Sequence, residues 1–106
     1  VSWRSTHGEH FAVPAEVLDR VASGKLHDVS WGNDAAPRFV SPLTDEVTIW
    51  VGHPDDDKRE IGSRYSVCEM TDEGLVEGEY HYEGADIAEA LRVFDALVLK
   101  FTQEAR

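Results

Sequence analysis

Ile87, Leu91, Phe94, Val98 and Phe101 recur at spacings of four, three, four and three residues, and that recurrence constrains the fold more than any other feature of the chain. On an α-helix these side chains form one unbroken apolar stripe, flanked by Ala90 and Leu97, which has to be buried against a second layer. The spacing predicts a helix from Ile87 to Glu104. Asp86-x-x-Glu89 precedes it, a short acceptor at the cap with an acid three residues later, the pattern of a capping box. At ~1.5 Å per residue such a helix is about 27 Å long, close to the ~24 Å of a seven-residue strand, so it can cover one face of a sheet.

The chain ahead of the helix supplies that sheet. Glu46 to Gly52, Ser63 to Met70 and Leu75 to Tyr82 read as three successive strands. In the first, Val47, Ile49 and Val51 alternate with Thr48 and Trp50, and the β-branched content suits a central position. Leu26 to Trp31 and Arg38 to Ser41 read as two shorter strands, separated by a Gly, Asn, Asp and Pro turn and ended by Pro42. Between the last two strands, Gly74 predicts a three-residue turn with a bulge, which groups Cys68 and Met70 with Tyr80 and Tyr82. A turn tighter by one residue groups Tyr65 and Val67 with them instead. In either register Val76, Gly78, Tyr80 and Tyr82 share one face of the strand, and Glu77, Glu79, His81 and Glu83 share the other.

At the other end, residues 1–12 read as an extended arm. A short helix follows, with Pro14 at its first position, Glu16 in the first turn, Val13, Val17, Leu18 and Val21 on one side, and Gly24 as the stop. Together the elements specify an α+β domain. A four- to five-stranded antiparallel meander is packed by the long C-terminal helix, with the short N-terminal helix at an edge or on the opposite face. At 106 residues the chain is a single domain.

Charge narrows the function classes. Twenty-one acids against ten bases give a net charge of −11. From Pro54 onward fourteen acids face six bases, so most of the excess lies in the second half. Direct nucleic-acid binding is disfavoured, because its main affinity term needs lysine and arginine to displace counterions from phosphate. A basic protein surface is favoured, although acidity of this kind also simply keeps proteins dissolved. The single cysteine, Cys68, excludes an internal disulfide framework and fits a cytoplasmic setting. No apolar run reaches the length of a membrane span, and the start of the chain has no signal-peptide core.

Five constellations could carry chemistry. His53-Pro54-Asp55-Asp56-Asp57 offers oxygen and imidazole ligands, but contiguous aspartates lack the alternate spacing of a calcium loop, and a solvated loop explains them. Cys68, His81 and Glu79 contain the parts of a nucleophilic triad, but in the bulged register strand alternation separates the thiol from the imidazole, and in the tighter one they share a face several residues apart. His7-x-x-His10 is the only close histidine pair, without the cysteines or helical spacing of a zinc site. Asp28, Trp31, Asn33, Asp34 and Arg38 crowd one turn as a recognition loop or as a self-bonded turn. Last, Glu69, Glu77, Glu79 and Glu83 line the final hairpin, where like charges on alternate residues cost stability unless something compensates.

The leading expectation is therefore a small acidic, non-enzymatic interaction domain, of the inhibitor, immunity-protein or nucleic-acid-mimic kind. It would meet a basic protein surface through Trp50, Glu69, Glu77, Glu79, His81, Glu83, Trp31 and Asp34, with Tyr80 as a further aromatic anchor. No catalytic residue, metal or cofactor is implied. The alternative is a small-molecule- or metal-binding domain or small enzyme, with a pocket between sheet and N-terminal helix using Asp28, His53, Asp34 or Arg38. A homodimer formed through the sheet is a third.

Overall fold

Strict alternation makes the central strand, and the strand then selects which layer can cover it. The computed structural model describes residues 3–8, 11–30, 36–59, 63–71 and 74–104. Five strands, β1 (His27–Asp28), β2 (Arg38–Ser41), β3 (Thr44–Val51), β4 (Tyr65–Thr71) and β5 (Gly74–Gly84), form one sheet in the order β1-β2-β3-β4-β5. Every neighbouring pair is antiparallel. The helices are α1 (Trp3–Thr6), α2 (Ala15–Ala22) and α3 (Ile87–Glu104). This is the α+β meander packed by a long C-terminal helix that the sequence specifies.

Val47, Ile49 and Val51 of β3 are fully buried. Ile49 lies opposite Phe39 on one side and Val67 on the other. Against this apolar row packs the stripe of α3, with Leu91, Phe94 and Val98 buried and Ile87 and Phe101 at its partly buried ends. Asp86 caps α3 as expected, its Oδ1 accepting from Ala88 N at 3.0 Å and Glu89 N at 3.2 Å. The reciprocal half of the capping box is absent. Glu89 is held by Arg92 instead, whose Nε donates to Oε2 at 3.0 Å, and Asp86 N–H donates to the Tyr82 hydroxyl at 3.0 Å.

α2 is not on the face opposite α3, one of the two places the sequence suggested; it lies beside α3. Val17 enters the core that contains Phe94, and Arg20 makes two bonds to Asp95, at 2.7 and 2.9 Å. Gly24, at φ +78°, closes the helix as expected, with Lys25 N–H donating to Arg20 O at 2.8 Å. Only a glycine adopts that left-handed turn without strain.

The first residues do not form an extended arm throughout. Trp3 begins a helical turn and is buried in the main core. Its backbone N–H donates to Asp28 Oδ2 at 2.8 Å, while Oδ1 of the same carboxylate accepts from Ser30 N at 3.0 Å. Asp28 thus works as a structural clasp. Among the described residues, no helix is long and apolar enough to cross a membrane.

The last hairpin starts in the tighter of the two registers and then leaves it. Thr71 pairs with Gly74, leaving two residues between them rather than three. The pairing then shifts twice: Cys68 meets Tyr80, and Val67 meets Tyr82. His81 is the extra residue between the last two pairs, the mark of a bulge. Because Val67 and Cys68 are neighbours on opposite faces of β4, Tyr80 and Tyr82 also lie on opposite faces. The bulge is what breaks the simple alternation expected for β5.

Candidate functional site

Trp3 of α1, Val17 of α2 and Phe94 of α3 share one core cluster with Ile49 and Val67, so all three helices lie on one side of the sheet. Among the described residues no helix covers the other side. That face is built from two rows of side chains running across the strands. In one, Arg38 lies opposite Trp50, Trp50 opposite Ser66, and Ser66 opposite Glu83. Val29 extends this row, its N–H donating to Arg38 O at 3.0 Å. In the next row His27, Val40, Thr48, Cys68 and Tyr80 follow one another across all five strands.

Trp50 organises the centre of this face. Its indole Nε1 donates to Cys68 Sγ at 3.2 Å, and the Arg38 guanidinium stands 5.9 Å from the ring centroid, within cation–π range. Cys68 and Thr48 beneath are fully buried. Thr48 Oγ1 and Arg38 Nε are buried with no hydrogen-bond partner among the described residues. Tyr80 remains 37% exposed, Val29 is exposed, and Trp50 is half-buried. An apolar and aromatic patch therefore meets solvent beside the exposed Glu83.

Burial pushes the Cys68 thiol above its ordinary value; the Trp50 bond and the nearby Arg38 charge oppose the rise, and Glu69 adds to it. Burial also raises the Tyr80 phenol, with Cys68 and Glu83 contributing. The folded chain thus keeps the Cys68 proton at a pH where the unfolded chain has lost it. The stability linked to that proton is intact below the ordinary thiol value and is lost as pH rises towards the folded one. Native Cys68 is accordingly expected to react with an aromatic disulfide at about pH 8 at least tenfold more slowly than the urea-unfolded chain. Equal rates would contradict this account of the face.

Trp50, Tyr80 and Glu83 are the anticipated site residues that come together here. Glu69 and His81 sit elsewhere: Glu69 is opposite the core residue Val47, and its Oε2 lies 3.0 Å from His81 Nε2. The carboxylates consequently do not form the single face that strict alternation implies. Glu77 and Glu79 belong to β5, and their side chains lie outside the description. Trp31, Asn33 and Asp34 lie outside the described residues altogether. The pairing of Arg38 and Cys68 with Trp50 was not drawn from the sequence. Its only trace there is that each residue falls in the right phase of its own strand, which becomes legible once the strand registers are known.

The other constellations resolve into local structure. His53 is buried, accepts from Asp55 N–H at Nδ1 over 2.9 Å, and meets Phe11 edge-on at 5.4 Å. Phe11 meets His7 in the same way. Asp55 Oδ1 accepts from Asp57 N at 3.0 Å, so one carboxylate of the aspartate run is used to hold its own turn. His10 lies outside the described residues. Cys68 and His81 do not meet, the first being covered by Trp50 and the second bonded to Glu69. Among the described residues no group of three or more histidine, cysteine, aspartate or glutamate side chains is arranged to hold a metal ion. A groove of about 570 Å³ opens between α2, the β2–β3 turn and α3, and Asp28, His53 and Arg38 do not line it. Compared with protein-family models, curated proteins and solved structures, the chain matches none.

Proposed function

We propose that this chain is a non-enzymatic interaction domain that docks the helix-free face of its sheet on a basic surface of another protein. The observation that carries the reading is the grouping of Trp50, Tyr80, Val29 and Glu83 on the face that no described helix covers, in a chain whose net charge is −11. Long-range attraction of the acidic molecule for a cationic partner sets the encounter rate. Desolvation of the aromatic pair then sets how long the complex lasts, since buried tryptophan and tyrosine are the usual anchors of such interfaces. Nucleic acid and anionic membrane are unfavourable partners for the same electrostatic reason. A cytoplasmic setting belongs to the proposal, because Cys68 is a free, buried thiol. The electrostatics are those of an inhibitor, an immunity-type protein or a nucleic-acid mimic.

The test is capture of partners from native lysate on the immobilised domain, followed by association kinetics with the captured protein. Raising salt from about 0.01 M to about 1 M shortens the screening length from about 30 Å to about 3 Å. The association rate is expected to fall by at least tenfold over that range. A rate indifferent to salt, or capture of acidic proteins alone, would overturn the proposal.

A further inference from the structure

Burial without a partner singles out one spot on the molecule. Among the described residues, the buried side-chain atoms that lack a hydrogen-bond partner are Arg38 Nε and Thr48 Oγ1. Both belong to the face that carries Trp50, in its two cross-strand rows. Elsewhere the half-buried polar groups are used within the chain: Arg20 by Asp95, Arg64 by the carbonyls of Gly52 and Ala12, Asp28 by the N–H groups of Trp3 and Ser30. Native folds leave few such atoms unpaired, and two on one face mark a surface that is chemically incomplete.

Arg38 decides what is missing. Its main chain is in use, the N–H donating to Ser30 Oγ at 3.1 Å and the carbonyl accepting from Val29 N at 3.0 Å. Its guanidinium stands 5.9 Å from the Trp50 ring centroid, a contact that holds the cation near the indole without taking any of its N–H groups. A guanidinium has donors only, so the group that completes it is an acceptor. The residue is half-buried, and water still reaches part of it in the free chain. A surface docked on Trp50 removes that water and leaves a full charge desolvated. A neutral carbonyl offsets that cost poorly, whereas a carboxylate matches both the charge and the planar fork of the guanidinium.

We infer that Arg38 is the specificity residue of the docking face, and that the partner presents to it one carboxylate set among the basic side chains that this acidic domain attracts. The inference rests on the docking reading and adds a feature which that reading alone does not require. Arg38→Gln separates the two, because it makes the domain one unit more negative. If attraction between opposite net charges were all that mattered, the variant would bind a basic partner faster and more tightly. With a carboxylate on Arg38 the complex instead dissociates faster, because one member of a buried pair is gone and the other is left unpaired.

The test is binding kinetics with the basic protein captured on the immobilised domain, each surface carboxylate of that protein being changed in turn to its amide. Arg38→Gln is expected to raise the dissociation rate by about tenfold or more. One of the amide substitutions should weaken the wild-type complex by a similar factor and the Arg38→Gln complex hardly at all, the coupling of a direct pair. Arg38→Lys, which keeps the charge and loses the fork, stands in if melting curves show Arg38→Gln unfolded. Leu43→Ala, at an exposed apolar side chain on the α2 and α3 side of the molecule, leaves both rates unchanged. Salt-sensitive binding that Trp50→Ala weakens, but that Arg38→Gln leaves as tight or tighter or in which no carboxylate couples to Arg38, would overturn the inference and leave the docking reading standing. Binding indifferent to salt and to Trp50→Ala would overturn both.

Discussion

Phe94→Ala is expected to lower the free energy of unfolding by about 3–5 kcal/mol, the range for removing a buried phenylalanine and leaving a cavity. Phe94 is 2% exposed and lies at the middle of the α3 stripe, in the core cluster with Ile49, Val67 and Val17. It therefore touches the sheet layer and the α2 layer together, and partial collapse of one cannot refill the space seen by the other. Single domains are stable by only about 5–15 kcal/mol, so a loss of this size brings the chain close to unfolding. Leu99→Ala, five residues along the same helix but 57% exposed, is expected to change stability by no more than about 0.5 kcal/mol. Urea titrations of the two variants, compared at equal m-value, check the pair. Similar costs for both would mean that α3 does not bury the face assigned to it.

Trp50→Ala is expected to weaken binding to the proposed basic partner by about 30-fold or more, the loss of at least 2 kcal/mol typical of a central aromatic anchor. Most of the change should appear in the dissociation rate, because truncating an aromatic anchor leaves the net charge that governs encounter untouched. The same substitution removes the cover from Cys68, whose sulfur receives the indole N–H at 3.2 Å, so thiol labelling should accelerate in parallel. Trp50→Phe separates the two roles. It keeps an aromatic ring on the face while deleting the N–H donor, and is expected to retain most of the affinity. Unchanged dissociation of the alanine variant would remove Trp50 from the interface.

Local periodicity made the covered half of this fold legible. The spacing from Ile87 to Phe101 predicted α3 with its bounds, and the alternation of Val47, Ile49 and Val51 with Thr48 and Trp50 predicted β3 and its faces, because both signals repeat over more than one turn or pleat. Tertiary contacts hid the rest. Trp3 looks like part of an arm until the Asp28 carboxylate, 25 residues away, is seen to bind its backbone. The position of α2 shows only in contacts between helices distant in sequence, Val17 in the core with Phe94 and Arg20 bonded to Asp95.

The site was harder to read than the fold for one reason. A bulge at His81 reverses which residues of β5 share a face, so alternation counted along the strand assigns Tyr80 and Tyr82 to one side when they lie on two. Nothing in the residue types from Tyr80 to Glu83 marks that extra residue. The aromatic centre of this face was anticipated through Trp50 and Tyr80, and the neighbours Cys68 and Arg38 follow from the pairing of β2, β3 and β4.

Hydroxyl-radical footprinting of the domain, alone and bound to the partner captured at low salt, tests the docking face most directly. Oxidation of Trp50 and Tyr80 should fall sharply in the complex while that of Leu43 and Leu99 stays as it is in the free domain. Protection confined to Leu43, Leu99 and the outer side of α3, with Trp50 and Tyr80 oxidised as before, would contradict it.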